Sequence, residues 1–208
     1  MQNPFETAAP LLSFDHVGKH YTNAGERVRA LDDVSLEVGS GQFVAVMGRS
    51  GCGKSTLLHL AGALDFPTTG HVRLDGLATD QLTEAGLTRL RREKIGFVFQ
   101  SFQLLNTVSV VENVEVPLLL ASEGNARSRA MERLADVGLA ELAHRMTHQL
   151  SGGQMQRVAI ARAGAQPSSD PRRRADGQSG HRNRQRDSRA VAACVRRTAS
   201  DHPDGHAQ

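Results

Sequence analysis

The sequence predicts an α/β fold on three observations. Short alternating or continuous apolar runs recur up to Phe99. A glycine-rich G-x-x-x-x-G-K-S pattern falls between a strand-like run and a helix-like run. The stretch from Val108 to Leu150 reads mostly as helix.

Leu11 to Tyr21 alternates apolar and polar residues, as a half-buried strand does, and Val34 to Val38 alternates again. Gly39-Ser40-Gly41 marks a turn, and Gln42 to Met47 reads as a buried strand. Ser55 to Leu64 has a helical pattern. After a turn at Thr69-Gly70, His71 to Leu74 reads as a strand. Leu82 to Lys94 is a charged amphipathic helix, and Ile95 to Phe99 is a short buried strand. Thr107 or Ser109 caps a helix from Val110, and Pro117 lies inside or ends it. Ala126 to Val137 is helical and closed by Gly138, and Ser151 caps a helix through Ala163.

At 208 residues the chain can bury one sizeable core. No apolar run approaches the roughly 20 residues of a membrane span, and the N-terminal stretch lacks a secretory pattern. The expectation is a soluble, cytoplasmic protein. Cys52 and Cys194 do not make a disulfide framework and are read as reduced thiols. The net charge of +3 is unevenly spread. From Gly164 onward nine Arg face five Asp, with no Lys or Glu, giving +4 and leaving −1 for the remainder.

The motif is Gly48-Arg49-Ser50-Gly51-Cys52-Gly53-Lys54-Ser55, a P-loop pattern followed by Thr56. Its glycines let backbone N–H groups turn inward around phosphates, and the helix N-terminus adds the positive end of its dipole. In that chemistry Lys54 reaches the β- and γ-phosphates of ATP and Ser55 ligates Mg²⁺. An ordinary glycine turn before a helix is the plainer alternative, and the Lys-Ser pair argues against it.

Leu150-Ser151-Gly152-Gly153-Gln154, about 100 residues beyond a P-loop, narrows the class. With the following Met-Gln-Arg-Val-Ala-Ile-Ala-Arg-Ala it resembles the signature motif of ABC transporter ATP-binding subunits, although a Ser-capped helix alone accounts for the same residues. The resemblance covers roughly Leu11 to Ala163. It implies a P-loop NTPase core of ABC type over residues 1–163, with a helical subdomain at about 101–163. Gln100, closing Ile-Gly-Phe-Val-Phe-Gln, matches the Q-loop glutamine that touches Mg²⁺ and the attacking water. Tyr21 lies where the family places an aromatic that stacks on adenine, or is simply a strand-end aromatic. The stretch from Phe99 to Val114 is most similar to the lipoprotein-release and macrolide-export group. The resemblance further implies ATP and Mg²⁺ as cofactors, a membrane permease and a second copy of the subunit as partners, no nucleic acid, and a place at the inner face of the cell membrane.

The sequence departs from the family after Ala163. The family continues with an apolar strand ending in Asp-Glu, read LADEPTGNLD, and later with a strand ending in a switch histidine, read MVTH. Here Arg-Ala-Gly-Ala-Gln-Pro-Ser-Ser-Asp-Pro-Arg-Arg-Arg follows, and no Leu, Ile, Met, Phe or Tyr occurs from Gly164 to Gln208. Such a tail is expected to be disordered or attached without a core, because it cannot bury enough apolar surface to offset its ordering entropy.

A shifted reading frame accounts for the departure. Codons that encode Arg172 to Arg184 also encode, one base later, ADEPTGNLDTAT. In the same frame Asp201 to Ala207 becomes TIPMVTH, and Ala165 to Pro171 becomes HNPAAIL. Two bases lost near Ala163 or Gly164 fit the spacing. Arg173 and Arg174 then stand where the Mg²⁺ aspartate and the catalytic glutamate belong, and Ala207 stands in for the histidine. The fold is therefore expected to be disrupted after the signature helix and the chain to be deficient in hydrolysis. A pseudogene and a sequencing error leave the same protein sequence. An alternative function is a non-functional fragment or a protein that only binds nucleotide. A further one is a nucleic-acid-binding arginine arm, although shifted GC-rich coding sequence also yields arginine in bulk.

Overall fold

The computed structural model describes residues 9–23, 25–165 and 190–192. Strands β1 (Leu12–Asn23) and β2 (Glu26–Val38) form a long antiparallel pair, with Leu12 opposite Val38 and Asn23 opposite Glu26. β3 (Thr69–Leu74) pairs antiparallel with the other edge of β1. β4 (Leu77–Ala78) closes on β3, giving the order β2-β1-β3-β4. The β3–β4 turn is Asp75-Gly76, both at positive φ (51° and 79°), the conformation that a tight two-residue hairpin demands.

β2 begins well before the expected Val34. Its first half is mostly exposed, so burial leaves no alternation to read there; backbone pairing to β1 holds it instead.

One core lies under this sheet. Phe14 and Val17 of β1 and Val72 and Leu74 of β3 pack with Leu60 of α1 (Lys54–Ala61) and Leu87 of α2 (Glu84–Lys94). A second core joins three helices, α3 (Val110–Leu120), α4 (Ala126–Asp136) and α5 (Gly152–Gly164), through Val110, Val114, Leu118, Ala130, Leu134 and Val158.

Ser109 caps α3 in a reciprocal box: its N–H donates to Glu112 Oε2 at 2.7 Å and its hydroxyl accepts from Glu112 N. Pro117 is accommodated inside α3, which ends at Leu120. Gly138, at φ 68°, ends α4, with the Leu139 N–H returning to Leu134 O at 2.8 Å.

Two strand expectations are corrected. Gln42–Met47 has no regular strand and no core to enter, with Phe43 93% and Met47 89% exposed. A buried strand needs neighbours for its N–H and C=O groups, and the described β1–β4 sheet pairs only within itself. Ile95–Phe99 shortens to β5 (Ile95–Gly96), followed by the stacked rings of Phe97 and Phe99, 5.5 Å apart.

β5 has a parallel partner in β6 (Ala190–Ala192). The tail is expected to be disordered or attached without a core, and this ladder is an attachment of three residues. Ladder pairing draws on backbone groups, which small residues carry as well as large ones. The rest of that expectation, with Arg173, Arg174, Cys194 and Ala207, falls outside the described residues.

Asn113 is fully buried in α3 and joins the helix to the chain before it. Its Oδ1 accepts from Leu105 N at 2.7 Å, and its Nδ2 donates to Leu105 O and Ser109 O, both at 3.0 Å. Asn113→Ala strands several of these groups without water. It should cost about 2–4 kcal/mol, read as a lower denaturation midpoint, whereas Asn125→Ala, at an N-cap whose side chain makes no capping bond, should change it little.

Candidate functional site

The segment Gly48–Gly53 turns back on itself before α1. Gly51 and Gly53 adopt left-handed φ values of 81° and 87°, where a Cβ is strained. At Gly53 a Cβ would also collide with the carbonyl of Ala30. The α1 N-terminus has no side-chain cap, so its first N–H groups are left to a ligand or to water. Lys54 Nζ donates to Gly48 O at 2.8 Å and Arg49 O at 2.6 Å, and lies 3.6 Å from Cys52 Sγ. The loop thus wraps its own ammonium. Ser55 and Thr56 follow in the first turn of α1, while Arg49, Ser50 and Cys52 are exposed. The Cys52 thiol is free.

Tyr21 stands near the end of β1 and is 38% exposed. Its hydroxyl donates to Asp65 Oδ2 at 2.8 Å. Asp65 Oδ1 accepts from Lys19 Nζ at 2.6 Å and from Phe66 N at 2.7 Å. Lys19 also lies over the Tyr21 ring, 5.0 Å from its centroid. The Tyr21 phenol is held above its ordinary pKa, first by burial and then by its bond to Asp65, with the Thr56 hydroxyl acting the other way. For Asp65, burial pushes the carboxyl up, but its bonds from Lys19, Tyr21 and Phe66 N outweigh that and hold it low. Sequence reading missed Lys19 and Asp65; neither stands in a motif, and 44 positions separate Tyr21 from Asp65.

Gln100 is exposed in a turn directly before Phe102 and Gln103, both at positive φ (59° and 46°). Arg162 of α5 grips that strained pair, donating to Gln103 O at 2.6 Å and Phe102 O at 2.7 Å. The signature segment sits at the other end of α5. Ser151 accepts from Gln154 N at 3.3 Å, and Gln154 Oε1 accepts from Ser151 N at 2.8 Å. Gly152 and Gly153 are exposed, with open space where a Cβ would stand. Arg162 therefore links Gln100's turn to the signature helix, while the loop at Gly48–Ser55 and Tyr21 belong to the sheet side.

The loop fits a polyphosphate: glycine-turned backbone, a helix N-terminus and a lysine converge on it. For Mg²⁺ the fit is partial. Ser55 and Gln100 offer neutral oxygens, and no group of three or more His, Cys, Asp or Glu able to hold a metal occurs among the described residues.

Residues 31–169 match the ABC transporter family. The chain belongs to that family. The lipoprotein-releasing system ATP-binding protein LolD of Bordetella pertussis is 45% identical over 165 residues, 78% of this chain and 71% of its own length. The macrolide export ATP-binding/permease protein MacB of Hyphomonas neptunium is 47% identical over 156 residues. That match takes in 74% of this chain but only 24% of the relative, so the chain spans about a quarter of the macrolide-export protein. A dimeric ATP-binding cassette, an ABC protein of Methanocaldococcus jannaschii solved with ADP and Pi, superposes with a TM-score of 0.70 at 45% identity. The superposition covers 74% of this chain and 69% of that one. The α/β cassette fold and the kinship with the LolD and MacB group expected from the sequence are both borne out.

Tyr21 is the only tyrosine of a chain without tryptophan, so its ionisation can be followed alone by phenolate absorbance. The midpoint should lie above the ordinary phenol value of about 10. Asp65→Ala should move it down, because ionising Tyr21 then no longer sets two anions side by side. An unmoved midpoint would show that the Tyr21–Asp65 bond does not form.

Proposed function

We propose that this chain is an ATP-binding ABC subunit that holds nucleotide but does not complete a hydrolytic site. What carries the reading is the loop Gly48–Thr56, a phosphate cradle whose lysine is already gathered into it. In this reading backbone N–H groups of the loop and Lys54 hold the β- and γ-phosphates. Ser55, with Gln100, completes the Mg²⁺ contacts together with the nucleotide's own phosphate oxygens, and Tyr21 stacks on adenine. The segment Ser151–Gln154 offers a hydroxyl and bare glycine backbone to the nucleotide of a second copy in a head-to-tail dimer.

Loss of hydrolysis follows from the tail. Arg173 and Arg174 take the places of the family's Mg²⁺ aspartate and catalytic glutamate. A guanidinium repels the metal and accepts no proton. Support comes from the exposed Phe43–Met47 segment, whose central-strand role requires neighbours supplied by the frame that is missing. The family match ends at residue 169 while the chain runs on to residue 208. The permease partner, the cytoplasmic face of a membrane as location, and a role in export or lipoprotein release belong to the same proposal. Among the described residues no helix is long and apolar enough to cross a membrane.

Two measurements test this. Lys54→Ala should weaken ATP binding by about 1.5–3 kcal/mol, roughly tenfold to a hundredfold. Equal affinity in the two proteins would remove the P-loop from the site, and no affinity in either would favour a non-functional fragment. In steady-state assays the chain should show no ATP turnover above the Lys54→Ala background. Two bases inserted after the Ala163 codon should bring turnover back. Loss of an acid–base group alone slows catalysis about 10²–10⁴-fold, so clear turnover by the unaltered chain would contradict the reading.

A further inference from the structure

Asp65 has no assigned role, yet its carboxylate is used at both oxygens. Oδ1 takes Lys19 Nζ at 2.6 Å and Phe66 N at 2.7 Å, and Oδ2 takes the Tyr21 hydroxyl at 2.8 Å. Lys19 is fixed in turn by Phe66 O at 2.8 Å, and its side chain is only 12% exposed. Lys19 and Tyr21 lie two apart on β1 and so share a face of the strand. The loop carrying Asp65 is tied to the same strand, since Thr68 N donates to Gly18 O at 2.8 Å and His20 N donates to Thr68 Oγ1 at 3.1 Å. With the hydroxyl and the strand both anchored, the ring has little freedom to turn. The Lys19 ammonium lies over one ring face, and Tyr21 keeps 38% of its surface exposed to receive a second planar group.

We propose that Asp65, clamped by Lys19, is a positioning residue that holds the Tyr21 ring as the platform for the nucleotide base, and so sets how much tighter ATP binds than a bare polyphosphate. This rests on the P-loop reading of the phosphate site. α1 starts at Lys54 and leads into the loop that carries Asp65, so phosphate loop and base platform hang on one helix. A platform fixed beforehand loses less side-chain freedom on binding than one that must be ordered by its ligand.

The experiment measures ATP and inorganic tripolyphosphate affinities for the full chain and for Asp65→Ala and Asp65→Asn, with Tyr21 fluorescence as a second readout. The chain should bind ATP more tightly than tripolyphosphate. Asp65→Ala should weaken ATP by about three- to tenfold, the range of a lost aromatic stacking contact, and leave tripolyphosphate unchanged. It should also raise tyrosine emission, because the phenol is no longer bonded to a carboxylate. Asp65→Asn, which keeps an acceptor for the hydroxyl, should recover part of the ATP affinity. Equal losses for both ligands, unchanged ATP affinity, or unchanged emission in Asp65→Ala would each overturn the inference. If the chain binds tripolyphosphate as tightly as ATP, the inference fails while the P-loop reading stands. If it binds neither, both fail.

Discussion

A buried strand is stable only where strands beside it take up its N–H and C=O groups and side chains from both faces cover its apolar residues. Gln42–Met47 is composed for such a place: Phe, Val, Ala, Val and Met in succession. It lacks that place among the described residues, and Phe43 and Met47 stand almost fully in solvent. The rest of the structure sorts itself around this unmet requirement. Elements that draw partners from residues before Ala163 are well formed, namely the antiparallel sheet, the helices packed on it and the three-helix unit. Gln42–Met47 is bare, whereas β5 finds its partner in Ala190–Ala192.

The same division runs through the candidate site. The loop at Gly48–Gly53 is local, so its glycine conformations and the Lys54 contacts form without strands beside Gln42–Met47. The Tyr21–Asp65–Lys19 cluster needs only β1 and the loop after α1, both on the sheet side. The signature cap at Ser151 and the Arg162 grip on Phe102 and Gln103 need only the helical unit. The groups proposed to meet phosphate and base therefore all lie within the described residues.

Much of this was legible in the residues. The capping boxes at Ser109 and Ser151 follow from Ser-x-x-Glu and Ser-x-x-Gln, and the α4 stop from Gly138, because each depends on chemistry within a few positions. The failure of Gln42–Met47 as a strand was not legible locally, since composition shows what a segment suits and not whether its partners exist. The early start of β2 escaped because an edge held by backbone pairing leaves no burial pattern. β6 escaped because Ala190–Ala192 carries no large apolar side chain to announce it. Lys19 and Asp65 escaped because they meet only through the fold, across 46 positions.

The most direct measurement is hydrogen–deuterium exchange at the Gln42–Met47 amides, in this chain and in the version with two bases restored after the Ala163 codon. The amides should exchange within the earliest time point in this chain, and become among the slowest of the sheet once the restored strands flank them. Slow exchange at Gln42–Met47 in the unaltered chain would mean that the segment already has its neighbours, and would contradict the view that the loss of frame leaves the phosphate loop on an unsupported strand.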